Sequence, residues 1–255
     1  MISQILAAGG EASAEAAKNS FGLVEALEEG GPISWFIFGV MVVMSIGTVY
    51  ILFVKLFEQN KIMKQGRAMK DVFWKANSLK EGAAKLEKNS AYRQIVDDGI
   101  MAEENHSKLT DPVEAHDYLH GSLQRSENQI MNVLNGGLSF LATVGATAPF
   151  VGLLGTVIGI YGALIAIGIA GQASIDKVAG PVGEALIMTA VGLFVAVPAV
   201  LAYNWLQARN KVIQRDLSAF SNDILGHMAS DGKVKPVTAA RAKAPAKPAA
   251  PAAKK

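Results

Sequence analysis

Three stretches of this 255-residue chain contain no charged residue: 22 residues from Ile33 to Val54, 48 from Asn128 to Ile175, and 24 from Ala185 to Ala208. All 24 basic and 22 acidic residues lie outside them. A helix needs about 20 apolar residues to cross roughly 30 Å of hydrocarbon, so each stretch is long enough to span a bilayer. An ordinary soluble enzyme is thereby excluded. The stretches predict an all-α membrane protein with three transmembrane helices and long helical extensions on the cytoplasmic side.

Charge placement orients those spans, because Lys and Arg near span ends favour the cytoplasm. Lys55, Lys61, Lys64, Arg67 and Lys70 follow the first stretch and Arg209, Lys211 and Arg215 follow the third, while the opposite side carries only Lys18 and Lys177. Three crossings satisfy both clusters and two do not. The N-terminus is therefore placed outside and the C-terminus inside. Met1 to Ala8 has a short apolar run but no basic lead, and is not read as a cleaved signal peptide. The chain divides into an outer segment 1–32, a first span 33–57, a cytoplasmic helical domain 58–133, a second span 134–173, an outer turn 174–180, a third span 181–207, a cytoplasmic helix 208–228 and an Ala/Pro/Lys-rich tail 229–255. The outer segment holds a short amphipathic pattern at Phe21, Leu23, Val24 and Leu27, and the tail has a disordered composition.

Local signals refine this layout. Trp35 and Lys55 stand where interfacial anchors of the first span belong. Asp111-Pro112-Val113-Glu114 reads as a helix start, with Asp111 as acceptor for backbone N–H groups and Pro112 in the first turn. With no further proline until Pro149, one helix is expected from Pro112 to Ile169, bent at Gly136-Gly137. The third span is expected to continue past Trp205 to about Gly226.

The spans carry a packing pattern. In the second, Gly145, Ala148, Gly152, Gly155, Gly159, Gly162 and Ala166 recur at alternating steps of three and four. In the third, Ala185, Thr189, Gly192, Ala196 and Ala199 do the same. Helices in lipid associate where small residues let backbones approach, so these seams predict a tightly packed bundle. Thr143, Thr147, Thr156, Glu184 and Thr189 are the polar residues against this background. An acid within a membrane helix usually faces a wet cavity or a partner and changes protonation. Glu184 also follows Gly180-Pro181, where the end of a helix would suit an anion, and composition alone leaves both readings open.

Other chemistry finds little support. Absent cysteine excludes disulfides and thiol catalysis. His116 and His120 lie one turn apart, but the sequence offers no third ligand, so no metal site is expected. The glycines from Gly152 to Gly159 lack the Lys and Ser/Thr of a phosphate loop, so any work done by the chain draws on an ion gradient. No enzyme activity or cofactor is expected. The basic tail lacks interleaved aromatics, which favours membrane lipids over nucleic acid as its partner.

Three segments are recognisable: Ala148-Pro149-Phe150-Val151-Gly152-Leu153-Leu154-Gly155-Thr156-Val157-Ile158-Gly159-Ile160, then Gly183-Glu184-Ala185-Leu186-Ile187-Met188-Thr189-Ala190-Val191-Gly192-Leu193, then Ala196-Val197-Pro198-Ala199. In this order, on a predicted hairpin, they resemble the ExbB/TolQ/MotA proton-channel family, nearest its ExbB branch. The resemblance implies a bacterial inner-membrane protein whose outer face is periplasmic. It also implies a ring, a pentamer in this family, whose second and third spans line a pore holding an ExbD-like partner. The family's third-span carboxylate and lining threonines match Glu184, Thr156 and Thr189, which would form the proton path. The proton-motive force would then drive motion passed to a TonB-like energy transducer for uptake across the outer membrane. A TolQ-like role with a TolR-like partner and a non-conducting scaffold are the alternatives. A small-solute transporter is disfavoured by the lack of an inverted repeat.

Overall fold

The computed structural model describes residues 24, 27, 28, 31–110, 113–170 and 175–234, with only the helical backbone at 71, 166, 170, 175–181 and 184. Asp111 and Pro112, the connection at 171–174 and the tail from 235 onward lie outside the described residues. Six α-helices are described: α1 (Gly31–Val72), α2 (Leu79–Ala84), α3 (Ala91–His106), α4 (Ala115–Asn135), α5 (Leu138–Ala170) and α6 (Ile175–Ala229), with a 3-10 turn at Phe73–Lys75. Three helical stretches, within Gly31–Lys75, Ala115–Ile169 and Ala185–Ala229, each hold an 18-residue window of mean hydropathy between 2.3 and 2.5. They are long and apolar enough to cross a membrane, and among the described residues the fold is all-α. By its contacts the chain divides into two compact units, 1–54 with 137–206 and 55–136 with 207–255.

The first unit is apolar on nearly every face. Its buried centre comprises Ile37, Met41, Val144, Ala148, Met188, Val195, Ala196 and Ala199. Phe36 (72%), Phe150 (69%) and Phe194 (77%) stand exposed in the single chain, as expected of surfaces whose solvent is lipid or another apolar helix. Helix hydroxyls satisfy themselves locally: Thr48, Thr143 and Thr147 each donate to the carbonyl four residues back at 2.8 Å. No polar partner is then demanded of the bilayer.

The second unit is built like a soluble helical domain. Leu119, Leu123, Ile130 and Leu134 on α4 and Ile213, Leu217, Phe220 and Ile224 on α6 recur at the helical period and pack into one core. Phe73, Trp74, Tyr92 and Phe220 form an edge-to-face cluster with centroids 4.9–6.2 Å apart. Ser78 and Ser90 cap α2 and α3 by accepting from the backbone N–H of Glu81 and Arg93.

One expectation is corrected here. The single helix from Pro112 to Ile169 is two helices: α4 starts at Ala115 and ends at Asn135, and α5 begins at Leu138. The reason is Gly137, whose φ of +82° is left-handed and suits glycine, following Gly136 with ψ of 132°. Lys55, expected as an interfacial anchor, also serves the end of α4. It is only 8% exposed, and its Nζ donates to the Val133 carbonyl at 2.8 Å and to Glu58 Oε2 at 2.7 Å. Asn210, 2% exposed, donates through Nδ2 to the Leu134 carbonyl at 3.3 Å and accepts from Gln59 Nε2 at 2.7 Å. Gly136 N–H reaches the Asn132 and Val133 carbonyls at 3.1 and 3.2 Å, and α1 and α6 add the donors to Val133 and Leu134 that the terminating helix does not supply itself.

The helix ends also shift. Residues 175–180, expected as a turn, belong to α6, so the connection narrows to 171–174; α6 runs three residues beyond Gly226, to Ala229. Of the outer segment, only residues 24, 27, 28, 31 and 32 are described, each helical.

Candidate functional site

The site is the antiparallel hairpin of α5 and α6. Its register follows from where the backbones meet. A Cβ on Gly152 would lie 2.7 Å from the Met188 carbonyl oxygen and 3.1 Å from Gly192 Cα. A Cβ on Gly192 would lie 2.8 Å from the Ala148 carbonyl oxygen. Gly155 meets Met188 Cβ at 3.0 Å and Gly145 meets Val200 Cγ2 at 2.5 Å on the same construction. Gly145, Ala148, Gly152 and Gly155 therefore close the hairpin within one chain, against Met188, Gly192, Ala196 and Val200. Among the described residues the contacts end there: a Cβ on Gly162 would meet nothing within 4 Å, and Gly159 is half-buried. Ala185 and Ala196 are buried on the α6 side.

In this register Thr189 falls level with the stretch from Gly152 to Leu154, within about one turn of Thr156 along α5. The backbone of Glu184 falls level with Gly159 and Ile160, about 6 Å further toward the C-terminus of α5 at 1.5 Å per residue. Thr156 is 8% exposed and its Oγ1 donates to the Leu153 carbonyl at 2.7 Å, which leaves the oxygen lone pairs as acceptors. Thr189 is half-buried, with its Cα beside Gly152. Only helical backbone is described at Glu184, yet that backbone is informative. It lies nine residues into α6, which starts at Ile175. The dipole of a helix end acts within its first turn, so the helix-end reading of Glu184 loses its physical basis.

The remaining candidates look ordinary. The rings of His116 and His120 stack at 6.3 Å on an exposed face of α4, and no group of three metal-ligating side chains occurs among the described residues. Asp223, on the part of α6 in the second unit, is held above the usual carboxylate range by burial. Sequence reasoning missed Met188, whose carbonyl and side chain fill the space the glycines leave. Its signal was available, since Met188 sits four residues before Gly192 in the same phase.

Comparison with known proteins places this hairpin in context. The family described as the MotA/TolQ/ExbB proton channel family matches residues 87–219. A protein of Xanthomonas campestris pv. campestris named Biopolymer transport protein ExbB is 35% identical over 247 residues, covering 91% of this chain and 98% of the relative. A protein of the same name from Neisseria meningitidis serogroup A is 39% identical over 203 residues, 77% of this chain and 92% of its own length. The Tol-Pal system protein TolQ of Haemophilus influenzae is 37% identical over 169 residues, 63% of this chain and 73% of its own length.

Proposed function

This chain belongs to the MotA/TolQ/ExbB proton channel family and is a multi-pass inner-membrane protein of the ExbB/TolQ energy-transducing type, and from that premise we propose that it is the ring-forming subunit of an ExbB-like motor. In this reading five copies surround an ExbD-like partner. Protons pass by Glu184, Thr156 and Thr189, and the resulting motion reaches a TonB-like transducer that energises uptake across the outer membrane. The observation that carries it is the position of Glu184: the sole acid between Lys177 and Arg209, set well inside a helix and within about one turn of two hydroxyl-bearing residues. A hydroxyl both donates and accepts, which suits a site whose carboxylates exchange protons.

The ExbB-like role is favoured over the TolQ-like one by the span of the similarity, 91% of the chain against 63%. Deleting the gene tests the choice. Energised uptake of iron chelates and vitamin B12 should stop while resistance to detergent is kept. Detergent sensitivity with normal uptake would instead establish the TolQ-like role.

The proposed orientation places the second unit and the tail in the cytoplasm, on the charge placement already given. Because the chain lacks cysteine, single-cysteine labelling reports it cleanly. Ser90 is a poor probe position, being 4% exposed and engaged as a cap, whereas Lys108 is exposed. Lys108→Cys should resist an impermeant thiol reagent in intact cells and react after lysis. Labelling in intact cells would reverse the topology.

A further inference from the structure

A cavity of about 610 Å³ opens in the second unit between α1, the start of α3 and the end of α4. That volume falls in the range of small-molecule sites. Ile62, Ile130 and Leu134 give it an apolar lining, and Val133, 66% exposed, extends the apolar surface outward. Two of the acids that line it are already matched: Glu58 pairs with Lys55 at 2.7 Å and Asp97 with Arg93 at 3.2 Å. Lys61 and Lys88 line it too, and neither enters an ion pair among the described residues. Asp98 is the remaining acid, so the lining presents one unmatched positive charge over an apolar floor.

Position along α1 narrows the ligand. Lys61 lies seven residues beyond Val54, the end of the charge-free stretch, which is about 10 Å along the helix. The interfacial layer on each side of a bilayer is roughly 5–8 Å deep, so an extended lysine there reaches headgroup phosphates. We propose that this cavity binds the phosphate group of a membrane phospholipid, with Lys61 and Lys88 on the phosphate and the apolar lining against the first carbons of the lipid. Once Lys55 and Arg93 are counted against Glu58 and Asp97, one positive charge is left over, which complements a phosphate diester, and basic pockets at a membrane edge hold headgroups in this way. The site does not depend on the ExbB-like reading, since a TolQ-like subunit would keep the same residues.

The test uses the full-length protein with its co-purified partners in detergent. Dioctanoyl phosphatidylglycerol and, separately, inorganic phosphate are titrated, with native mass spectrometry counting bound molecules. The short-chain lipid should saturate at one per chain and bind at least tenfold more tightly than inorganic phosphate. Lys61→Gln with Lys88→Gln should weaken it tenfold or more, and Lys61→Arg with Lys88→Arg should restore it. Ala91→Phe, which narrows the cavity and leaves both ammonium groups, should also weaken it. Far-UV ellipticity checks that each variant is folded. Equal affinity for lipid and inorganic phosphate would reassign the site to the free anion. Unchanged lipid binding in the double Gln variant, or binding that never saturates, would overturn the proposal.

Discussion

Cells whose only copy carries Glu184→Gln should take up iron chelates through outer-membrane transporters no faster than cells lacking the gene, while the variant should accumulate and assemble as the unaltered protein does. The substitution keeps the shape of the side chain and its capacity to hydrogen-bond but removes ionisation. A helix-end anion would matter only within the first turn, and Glu184 lies nine residues past the helix start at Ile175. What the exchange removes is therefore the ability to gain and release a proton in a stretch otherwise free of charge. Thr156→Val should give the same outcome by a different route. The Thr156 hydroxyl donates only to its own helix, at Leu153, so its loss spares the fold and deletes acceptor positions beside the path. Wild-type uptake by Glu184→Gln at matched expression would leave the scaffold reading in place.

The second large effect concerns the seam. Gly152→Leu should abolish accumulation of folded protein, whereas Gly162→Leu should leave the isolated chain folded. Overpacking a core costs about 1–3 kcal/mol when neighbouring side chains can shift. At Gly152 the neighbours are the Met188 carbonyl and Gly192 Cα, at 2.7 and 3.1 Å from a built Cβ, and main chain in a helix cannot turn aside. Relief then requires separating α5 from α6, so the upper end of that range is a floor. Gly162 meets nothing within 4 Å among the described residues, so a defect there is expected in assembly with other copies rather than in the fold of the chain. Yield, thermal aggregation and native mass in detergent separate the two cases. A well-folded Gly152→Leu hairpin, or a misfolded Gly162→Leu chain, would show that the seam has been divided wrongly.

That division marks the limit of sequence reading. Seven small residues in phase announce close approach, but a period specifies a face of a helix and not the neighbour that covers it. Hence the seam predicts a tightly packed bundle without saying that Gly145 to Gly155 closes a hairpin within one chain. The spans were legible because exclusion of charge is a property of composition. The break after Asn135 was half legible: two adjacent glycines are visible in sequence, while the donors that complete the end of α4 come from residues 78 and 76 positions away from the carbonyls they serve. The start of α4 had a strong local signature at Asp111-Pro112, and the helix nevertheless begins at Ala115, with Glu114 making no side-chain cap.

The remote donors to α4 also set an order of events during synthesis. Lys55 leaves the ribosome before the carbonyl of Val133 that it serves, so that contact can form as soon as α4 is made. Asn210 follows Leu134 by 76 residues, including both later spans, and until it emerges the end of α4 lacks its second donor. The nascent second unit is thus incomplete for as long as the membrane hairpin takes to be translated and inserted. Correct insertion of the last helix becomes the step that finishes a domain begun long before it.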